Sequence, residues 1–234
     1  MEKPDYTYEF DIEYCCWKAV CGLRNTDRCG VTCPRYTKMH YLLGNSLLPK
    51  CWWVPKPFYV NEDSVDFDSH MSCVEIKKDI LNFVKEGRQL LIYSRSSGTG
   101  KTHMSTRMLL AYFSKIWEDT PFKPRGLFID SQKLLNDTKR FDSEYKDYIM
   151  ANIATVDLVV WDDMGVEESL TVPQFDMLFS IINERELNGK ANIFTTNKNP
   201  EELYKFFGEK LYSRIVRSAT IIEFKSADNR GASV

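Results

Sequence analysis

The sequence predicts an α/β protein in which helices flank a parallel sheet of five strands. From about residue 71 onward, short apolar runs of strand length alternate with segments of helical periodicity. These runs are apolar on both faces, which is typical of parallel strands covered by helices on each side and joined by right-handed crossovers. The composition, 43% hydrophobic and 27% charged residues, excludes collagen-like and wholly disordered proteins.

The elements at the beginning of the chain are predicted from proline, glycine and apolar spacing. Residues 34–43 form a helix that begins at a proline. Residues 49–70 are first rich in proline and aromatic residues and then acidic, so we expect no regular element there. A helix is predicted over residues 74–84, where apolar side chains recur at helical spacing before Gly87.

The remaining elements follow in the order of an α/β fold. Residues 131–154 are polar and helical, and residues 172–188 form a helix with an apolar stripe that ends near Gly189. A further helix covers residues 101–117. The predicted strands are residues 90–94, 126–130, 156–162, 192–196 and 220–224.

The change in composition near residue 50 predicts two parts joined by a linker. Residues 1–48 form a small cysteine-rich module, residues 49–70 a linker, and residues 71–234 the α/β domain. The aromatic side chains that begin with Trp52 and Trp53 either pack on neighbouring surfaces or stack on DNA bases. We favour simple packing, since Lys56 is the single basic residue among them.

Charge and hydropathy limit the partners and the compartment. The chain has 31 basic and 33 acidic residues, so no protein-wide basic field attracts nucleic acid and any DNA contact is local. A candidate is the mixed-charge segment that carries Lys133, Lys139, Arg140 and Lys146. No secretory signal and no apolar run of about 20 residues is evident, so we expect a cytoplasmic protein with no membrane partner.

The turn after the first strand of the α/β domain has the composition of a phosphate-binding loop. Glycines allow backbone N–H groups to converge on phosphate oxygens, and the following helix adds positive partial charge at its N-terminus. Lys101 would contact the β- and γ-phosphates, and the Thr102 hydroxyl would bind Mg²⁺. The candidate nucleotide-binding residues are Ser97, Gly98, Thr99, Gly100, Lys101, Thr102 and His103.

One position departs from the usual phosphate-loop pattern G-x-x-x-x-G-K-[ST]. Arg95 stands where the first glycine is expected, although Gly98 supplies another glycine. Strand, loop and helix still occur in the required order, so the sequence predicts nucleotide binding with an open question about the shape of the loop.

Two later strands end in polar residues suited to phosphoryl transfer. The strand VDLVVWDD ends at Asp162, which would hold Mg²⁺, and Asp163, which would polarise the attacking water. The strand that begins at residue 192 is followed by Asn197, whose amide would orient this water against the γ-phosphate.

The chain resembles the DnaC/DnaI family of replicative-helicase loaders in five motifs and in their order. These motifs are GTGKT, VDLVVWDDMG, IFTTNKNPEEL, SRIVR and ADNR. These are AAA+ ATPases, related to the IstB-type transposition helpers, and such genes are frequent in phages and Gram-positive bacteria. The resemblance covers about residues 72–231. It implies an AAA+ fold, ATP hydrolysis with Mg²⁺, a DnaB-type helicase and single-stranded DNA as partners, and assembly into a spiral or ring.

The resemblance also implies roles for three residues. Asn197 matches the sensor-1 position, and Arg230 resembles the sensor-2 arginine. Arg214 matches the arginine finger, which would act in trans on ATP bound by a neighbouring subunit, with Arg217 as the rival.

Five of the seven cysteines lie between residues 15 and 33. In a reducing cytoplasm such a cluster is more often a metal site than a set of disulfides. The spacing predicts a zinc site formed by Cys16, Cys21, Cys29 and Cys33, with Cys15 as the alternative to Cys16. Buried free cysteines and an iron–sulfur cluster are the other interpretations. Several loaders of the DnaC/DnaI family, which this chain resembles, have a zinc-bearing N-terminal domain that engages the helicase.

The sequence therefore predicts an ATPase that loads a replicative helicase onto single-stranded DNA. Two alternatives stay open. One is an IstB-like transposition helper whose partner is a transposase. The other is a binding module whose nucleotide is hardly hydrolysed.

Overall fold

Five parallel strands form one sheet in a computed structural model that describes residues 10–24, 26–55, 62, 64–138, 143–166 and 169–226. The strands lie in the order β2-β3-β4-β1-β5, and every neighbouring pair is parallel. Their bounds are β1 Gln89–Tyr93, β2 Gly126–Asp130, β3 Leu158–Asp162, β4 Ala191–Thr196 and β5 Ala219–Glu223. The predicted parallel five-stranded sheet is confirmed.

Eight helices accompany the sheet within the described residues. Short 3-10 turns at Ile12–Tyr14 and Lys50–Trp52 precede and follow the first helix. The helices are α1 Pro34–Gly44, α2 Phe67–Lys78, α3 Ile80–Lys85, α4 Lys101–Ile116, α5 Ser131–Asp137, α6 Glu144–Asn152, α7 Val172–Leu187 and α8 Pro200–Val216. In this part of the chain no helix is both long enough and apolar enough to cross a membrane.

The sheet is buried on both faces because its strands carry apolar side chains in both directions. In β3, Leu158 and Val160 belong to one hydrophobic cluster, whereas Val159 and Trp161 belong to another. Successive side chains of a strand point to opposite faces, so the two clusters lie on opposite sides of the sheet. This explains why the strands appear as continuous apolar runs in the sequence.

The segment before the α/β region packs on the same core. Met39 and Leu42 of α1 and the nearby Trp53 share a hydrophobic cluster with residues of β1 and α4. The Phe128 backbone N–H also donates to the Ser46 carbonyl at 2.7 Å. Residues 34–53 therefore continue the core of the sheet, and the predicted domain boundaries stay predictions.

The helix predicted over residues 74–84 is two helices, and the first begins earlier than expected. The helix is interrupted at Asp79, which lies between α2 and α3. Helix α2 starts at Phe67, inside the predicted linker. Its buried positions include His70, whose ring stacks on Phe224 at a centroid distance of 4.3 Å. Because a polar side chain occupies a buried position, the apolar spacing of the sequence does not mark the start of this helix.

Two other helical segments also differ in detail from the prediction. The stretch predicted over residues 131–154 forms α5 and α6, separated by a segment that includes residues 139–142, which the structure does not describe. Helix α8 carries Arg214 and contains a kink at Gly208, whose φ of 69° lies in the left-handed region. Glycine adopts this conformation without the strain a side chain would add.

Arg185 of α7 lies under the amino end of β4 and is fully buried. Its guanidinium donates to Asn192 Oδ1 at 2.7 Å and to the Ala191 carbonyl at 2.6 Å. It also donates to the carbonyls of Ile153 and Val156, at 2.5 and 3.0 Å. Through these hydrogen bonds, Arg185 connects α7 and the segment before β3 to the first residues of β4.

Candidate functional site

A cleft of about 470 Å³ opens at the carboxyl ends of the strands. It lies where β1 leads into α4 and where β3 and β4 end, which is the position at which open parallel sheets bind ligands. The residues that line it are Trp52, Ser97, Gly98, Thr99, Gly100, Lys101, Thr102, His103, Asp163 and Asn197. All seven predicted nucleotide-binding residues are thus brought together with Asp163 and Asn197.

The loop between β1 and α4 owes its shape to two glycines. Gly98 and Gly100 have φ values of 71° and 94°, in the left-handed region that glycine tolerates. Gly100 is the N-cap of α4, which begins at Lys101, so the free N–H groups of the first helical turn face the cleft. A helix N-terminus preceded by such a loop favours an anionic ligand.

Arg95 fits this loop without strain. Among the described non-glycine residues, positive φ occurs at Leu47 and Asp163 alone, so the backbone at position 95 has an ordinary conformation that does not require glycine. The side chain of Arg95 is exposed and does not line the cleft. The departure from the usual pattern therefore leaves the loop geometry intact.

Lys101 and Asn197 meet across the cleft. Lys101 Nζ donates to Asn197 Oδ1 at 2.8 Å and to the Ser96 carbonyl at 3.1 Å. The ammonium group is directed back over the loop, and the Lys101 residue is only 5% exposed. A phosphate held by Lys101 would consequently lie within reach of the Asn197 amide.

Thr102 and Asp162 form the second polar pair of the site. Thr102 Oγ1 donates to Asp162 at 2.9 Å from Oδ1 and 3.1 Å from Oδ2. Burial, together with the charges of Asp163 and Asp130, raises the pKa of Asp162 to about 6, although hydrogen bonds from Thr195 and Thr102 oppose this. A hydroxyl and a carboxylate in contact are the oxygen ligands that Mg²⁺ prefers.

Thr195, which was not among the predicted site residues, contacts both Asp162 and Asp163. Its Oγ1 donates to Asp162 Oδ1 at 2.7 Å and accepts the Asp163 backbone N–H at 3.0 Å. Asp163 has a φ of 53°, an uncommon conformation for a side-chain-bearing residue. The fully buried Thr195 hydroxyl thus orients Asp162 and holds the backbone turn that directs Asp163 into the cleft.

The predicted arginines lie elsewhere. Arg214 Nη1 donates to Glu186 Oε2 at 2.9 Å, so α8 and α7 are linked by an ion pair, and Arg214 does not line the cleft. Arg217 follows at the end of α8 and is exposed. Arg230 lies outside the described residues, as do Lys139 and Arg140 of the mixed-charge segment.

Trp52 is a cleft residue that the sequence did not identify as one. Its ring lies 5.5 Å from the His103 ring, at an interplanar angle of 62°. The aromatic residues near position 52 were expected either to pack or to stack on DNA, and Trp52 is also partly packed against the hydrophobic core. Only the fold brings this segment beside the loop, since the two are far apart in sequence.

The five cysteines between residues 15 and 33 divide into two groups. Cys15, Cys21, Cys29 and Cys33 line one small cavity of about 20 Å³, whereas Cys16 packs against the core beneath α1 and α4. Burial raises the pKa of the Cys16 thiol to about 12 and also raises the pKa of the Cys15 thiol, and a raised pKa disfavours the thiolate that binds metals. Within the described residues, no group of three or more histidine, cysteine or acidic side chains is arranged to hold a metal ion.

Sequence comparison relates the chain to helicase loaders. It is 24% identical to the replicative helicase loader DnaC of Escherichia coli K12 over 128 residues, which are 53% of this chain and 49% of DnaC. The chain thus matches about half the length of the curated relatives. No family model matches it.

Structural comparison identifies the AAA+ fold. The crystal structure of the DnaC helicase loader matches with a TM-score of 0.60 and 24% identity, over 76% of this chain and all of that one. DnaI matches with a TM-score of 0.59 and 19% identity, over 79% of this chain and 95% of DnaI. The initiator DnaA, bound to AMPPCP and single-stranded DNA, matches at 0.55 and 19% identity, over 72% of this chain and 48% of DnaA. The resemblance to DnaC and DnaI is confirmed at the level of the fold.

For the predicted ATPase activity, we expect Thr195→Val to raise the required Mg²⁺ concentration by about 10- to 100-fold. Valine keeps the shape of the side chain but removes the hydroxyl that orients Asp162, and such supporting hydrogen bonds tune metal affinity on this scale. The measurement is the Mg²⁺ concentration that gives half-maximal hydrolysis. Thr195→Ser should restore it, because serine keeps the hydroxyl.

Thr196→Val is the matched control for the Thr195 variant. Thr196 is equally buried, and its hydroxyl donates to the Met164 carbonyl at 2.6 Å instead of to Asp162. Both variants should lose a similar amount of stability, about 1–3 kcal/mol. The same Mg²⁺ requirement in both would contradict a positioning role for Thr195.

Proposed function

We propose that the protein is an ATPase that loads a replicative helicase onto single-stranded DNA in the cytoplasm. The observation that carries this proposal is the convergence of Lys101, Asp163 and Asn197 on one cleft, with Asp162 bonded to the cleft residue Thr102. They stand at the ends of three adjacent strands in the fold of DnaC and DnaI. DnaC is named for the loading of a replicative helicase, and its sequence relationship to this chain supports the same role here.

ATP would bind with its phosphates on the loop. The backbone N–H groups around Gly98 and Gly100 and the ammonium of Lys101 would neutralise the phosphate charge. Thr102 and Asp162, already in contact, would hold Mg²⁺, which would offset the phosphate charge. The donor types and their closeness fit this ion, since both supply oxygen.

Hydrolysis would depend on Asp163 and Asn197. Both line the cleft, and Asn197 accepts from the lysine that would hold the terminal phosphates. Asp163 would accept a hydrogen bond from the attacking water, and the Asn197 amide would orient that water toward the γ-phosphate. Such positioning and charge stabilisation supply most of the catalysis in phosphoryl transfer.

Arg214 would act in trans as the arginine finger of a homo-oligomer. Its ion pair with Glu186 and its place outside the cleft suit a residue that serves the ATP of a neighbouring subunit. A side-chain exposure of 38% leaves the guanidinium accessible to such a subunit. In the same proposal Arg230 contributes the sensor-2 charge.

The cysteine-rich residues would contact the helicase, stabilised by zinc. Our candidate ligands are Cys15, Cys21, Cys29 and Cys33, because these four line one small cavity. They are not arranged to hold a metal ion in the described conformation, so zinc binding would have to draw the four thiols together. Four thiolates satisfy the tetrahedral preference of Zn²⁺. Cys16, favoured by the spacing, faces the core instead, so the alternative ligand Cys15 is the better candidate.

The finger can be tested by mixing two inactive variants. Lys101→Ala should abolish ATP binding, and Arg214→Ala should bind ATP but lose hydrolysis by about 10³-fold or more, on the scale of other arginine fingers. A mixture of both should regain activity, because the intact finger of the Lys101→Ala subunit serves ATP bound by the Arg214→Ala subunit. Steady-state phosphate release measures the effect.

Arg217→Ala is the matched control, since Arg217 lies three residues further on and is exposed. It should hydrolyse ATP at the normal rate. Activity in Arg214→Ala alone, or a mixture no more active than its parts, would contradict the trans finger.

Helicase loading can be tested with the DnaB-type helicase of the native host and circular single-stranded DNA. The protein with ATP should increase the amount of helicase retained on the circle, because nucleotide-dependent contacts deliver the helicase ring to DNA. Gel filtration of the DNA-bound fraction gives the measurement. Lys101→Ala is the control and should give no increase.

No retention above the helicase alone, together with stable binding to a transposase of the host, would instead support the IstB-like function. Tight ATP binding with negligible turnover, even with DNA and helicase present, would support the non-hydrolysing binding module.

The zinc ligands are distinguished by two neighbouring substitutions. Cys15→Ser should abolish bound zinc, whereas Cys16→Ser should retain about one ion per chain, because only the first removes a thiol from the shared cavity. Metal analysis of the purified variants gives the stoichiometry. The opposite pattern would restore Cys16 as the ligand, and visible absorption with bound iron would indicate an iron–sulfur cluster.

A further inference from the structure

We propose that Trp52 forms the binding surface for the base of the nucleotide. The inference rests on the proposed nucleotide site and adds to it a residue outside the α/β region. Trp52 lines the same cleft as Lys101 and Thr102, although it belongs to the 3-10 turn at Lys50–Trp52. The cleft therefore has a wall made by the N-terminal segment as well as a floor made by the loop.

The chemistry of the lining assigns the two ends of the cleft to different parts of a nucleotide. The loop glycines and Lys101 offer N–H donors and positive charge, which suit phosphate oxygens. Asp163 and Asn197 are polar groups suited to the terminal phosphate and to water. The only aromatic faces among the lining residues belong to Trp52 and His103, which lie side by side at 5.5 Å.

The order of residues along α4 supports this assignment. Lys101, Thr102 and His103 follow one another in the first turn of the helix, and all three line the cleft. The partly exposed ring of Trp52 lies beside His103, the residue after the predicted phosphate and metal ligands. A base joined to phosphates on the loop meets a flat apolar surface there.

The backbone beneath Trp52 is held firmly in place. The next residue, Trp53, is buried, and its Nε1 donates to the Leu48 carbonyl at 2.8 Å. The Trp53 ring also packs at 5.2 Å from His40 of α1 and 6.2 Å from Tyr14. A preorganised aromatic platform binds a base without first losing its own conformational freedom.

Stacking predicts which ligands the surface distinguishes. Every base has a flat π face, so stacking discriminates a nucleotide from a bare polyphosphate far more than one purine from another. The ligand class is thus a nucleoside triphosphate, as opposed to a polyphosphate without a base. The same contact links the nucleotide to the segment that follows the cysteine-rich residues.

The test compares ATP with inorganic tripolyphosphate by isothermal titration calorimetry on the full chain. Trp52→Ala should weaken ATP binding about tenfold or more, a typical effect of losing one stacking contact, and leave tripolyphosphate binding unchanged. Trp52→Phe should bind ATP nearly as well as the wild type, because it keeps an aromatic face. Unchanged tripolyphosphate binding also shows that the loop of the variant is folded.

Trp117→Ala is the matched control, because Trp117 is a partly buried tryptophan that packs on Trp17 instead of lining the cleft. It should bind both ligands like the wild type. Wild-type ATP affinity in Trp52→Ala, or an equal loss for both ligands in Trp52→Ala and Trp52→Phe, would overturn the role of Trp52. A wild-type protein that binds neither ligand would overturn the proposed nucleotide site itself.

Discussion

The parallel pairing of β4 with β3 on one side and β1 on the other determines the geometry of the whole candidate site. Because all three strands run in the same direction, their carboxyl ends bring the phosphate loop, Asp162 and Asn197 to one edge of the sheet. Each of these groups follows a different strand, and no local interaction along the chain joins them. A shift of β4 by one residue would turn Thr195 away from Asp162 and break the connection between the two carboxylates.

Strand β4 is fixed at both ends by buried polar contacts. At its carboxyl end, the Thr195 hydroxyl bonds to Asp162 and to the Asp163 backbone. At its amino end, Asn192 Oδ1 accepts from Arg185 and from Trp161 Nε1, at 2.7 and 3.1 Å. Buried polar groups are costly unless they are satisfied, so these bonds select one register where apolar packing alone would tolerate several.

The sequence was sufficient for the sheet, the loop and the polar strand ends, because each is encoded by residues that are close in the chain. Trp52 and Thr195 could not be identified in this way, since their roles come from contacts with residues distant in sequence. The different surroundings of Cys15 and Cys16 could not be predicted either, because adjacent residues share the same spacing pattern. The start of α2 was missed because its inner face includes His70, which packs on an aromatic ring although it is polar.

Helix α7 connects this sheet to the predicted finger through two adjacent residues. Arg185 points inward and bonds to the first residues of β4, while Glu186 is partly exposed and pairs with Arg214 of α8. Arg214 is therefore connected, through α7, to the same strand that carries Thr195 and leads to Asn197. A displacement of α7 would move Arg214 and strain the amino end of β4 together. In the proposed oligomer, this arrangement would couple a subunit contact made by Arg214 to the strand behind the candidate nucleotide site of its own chain.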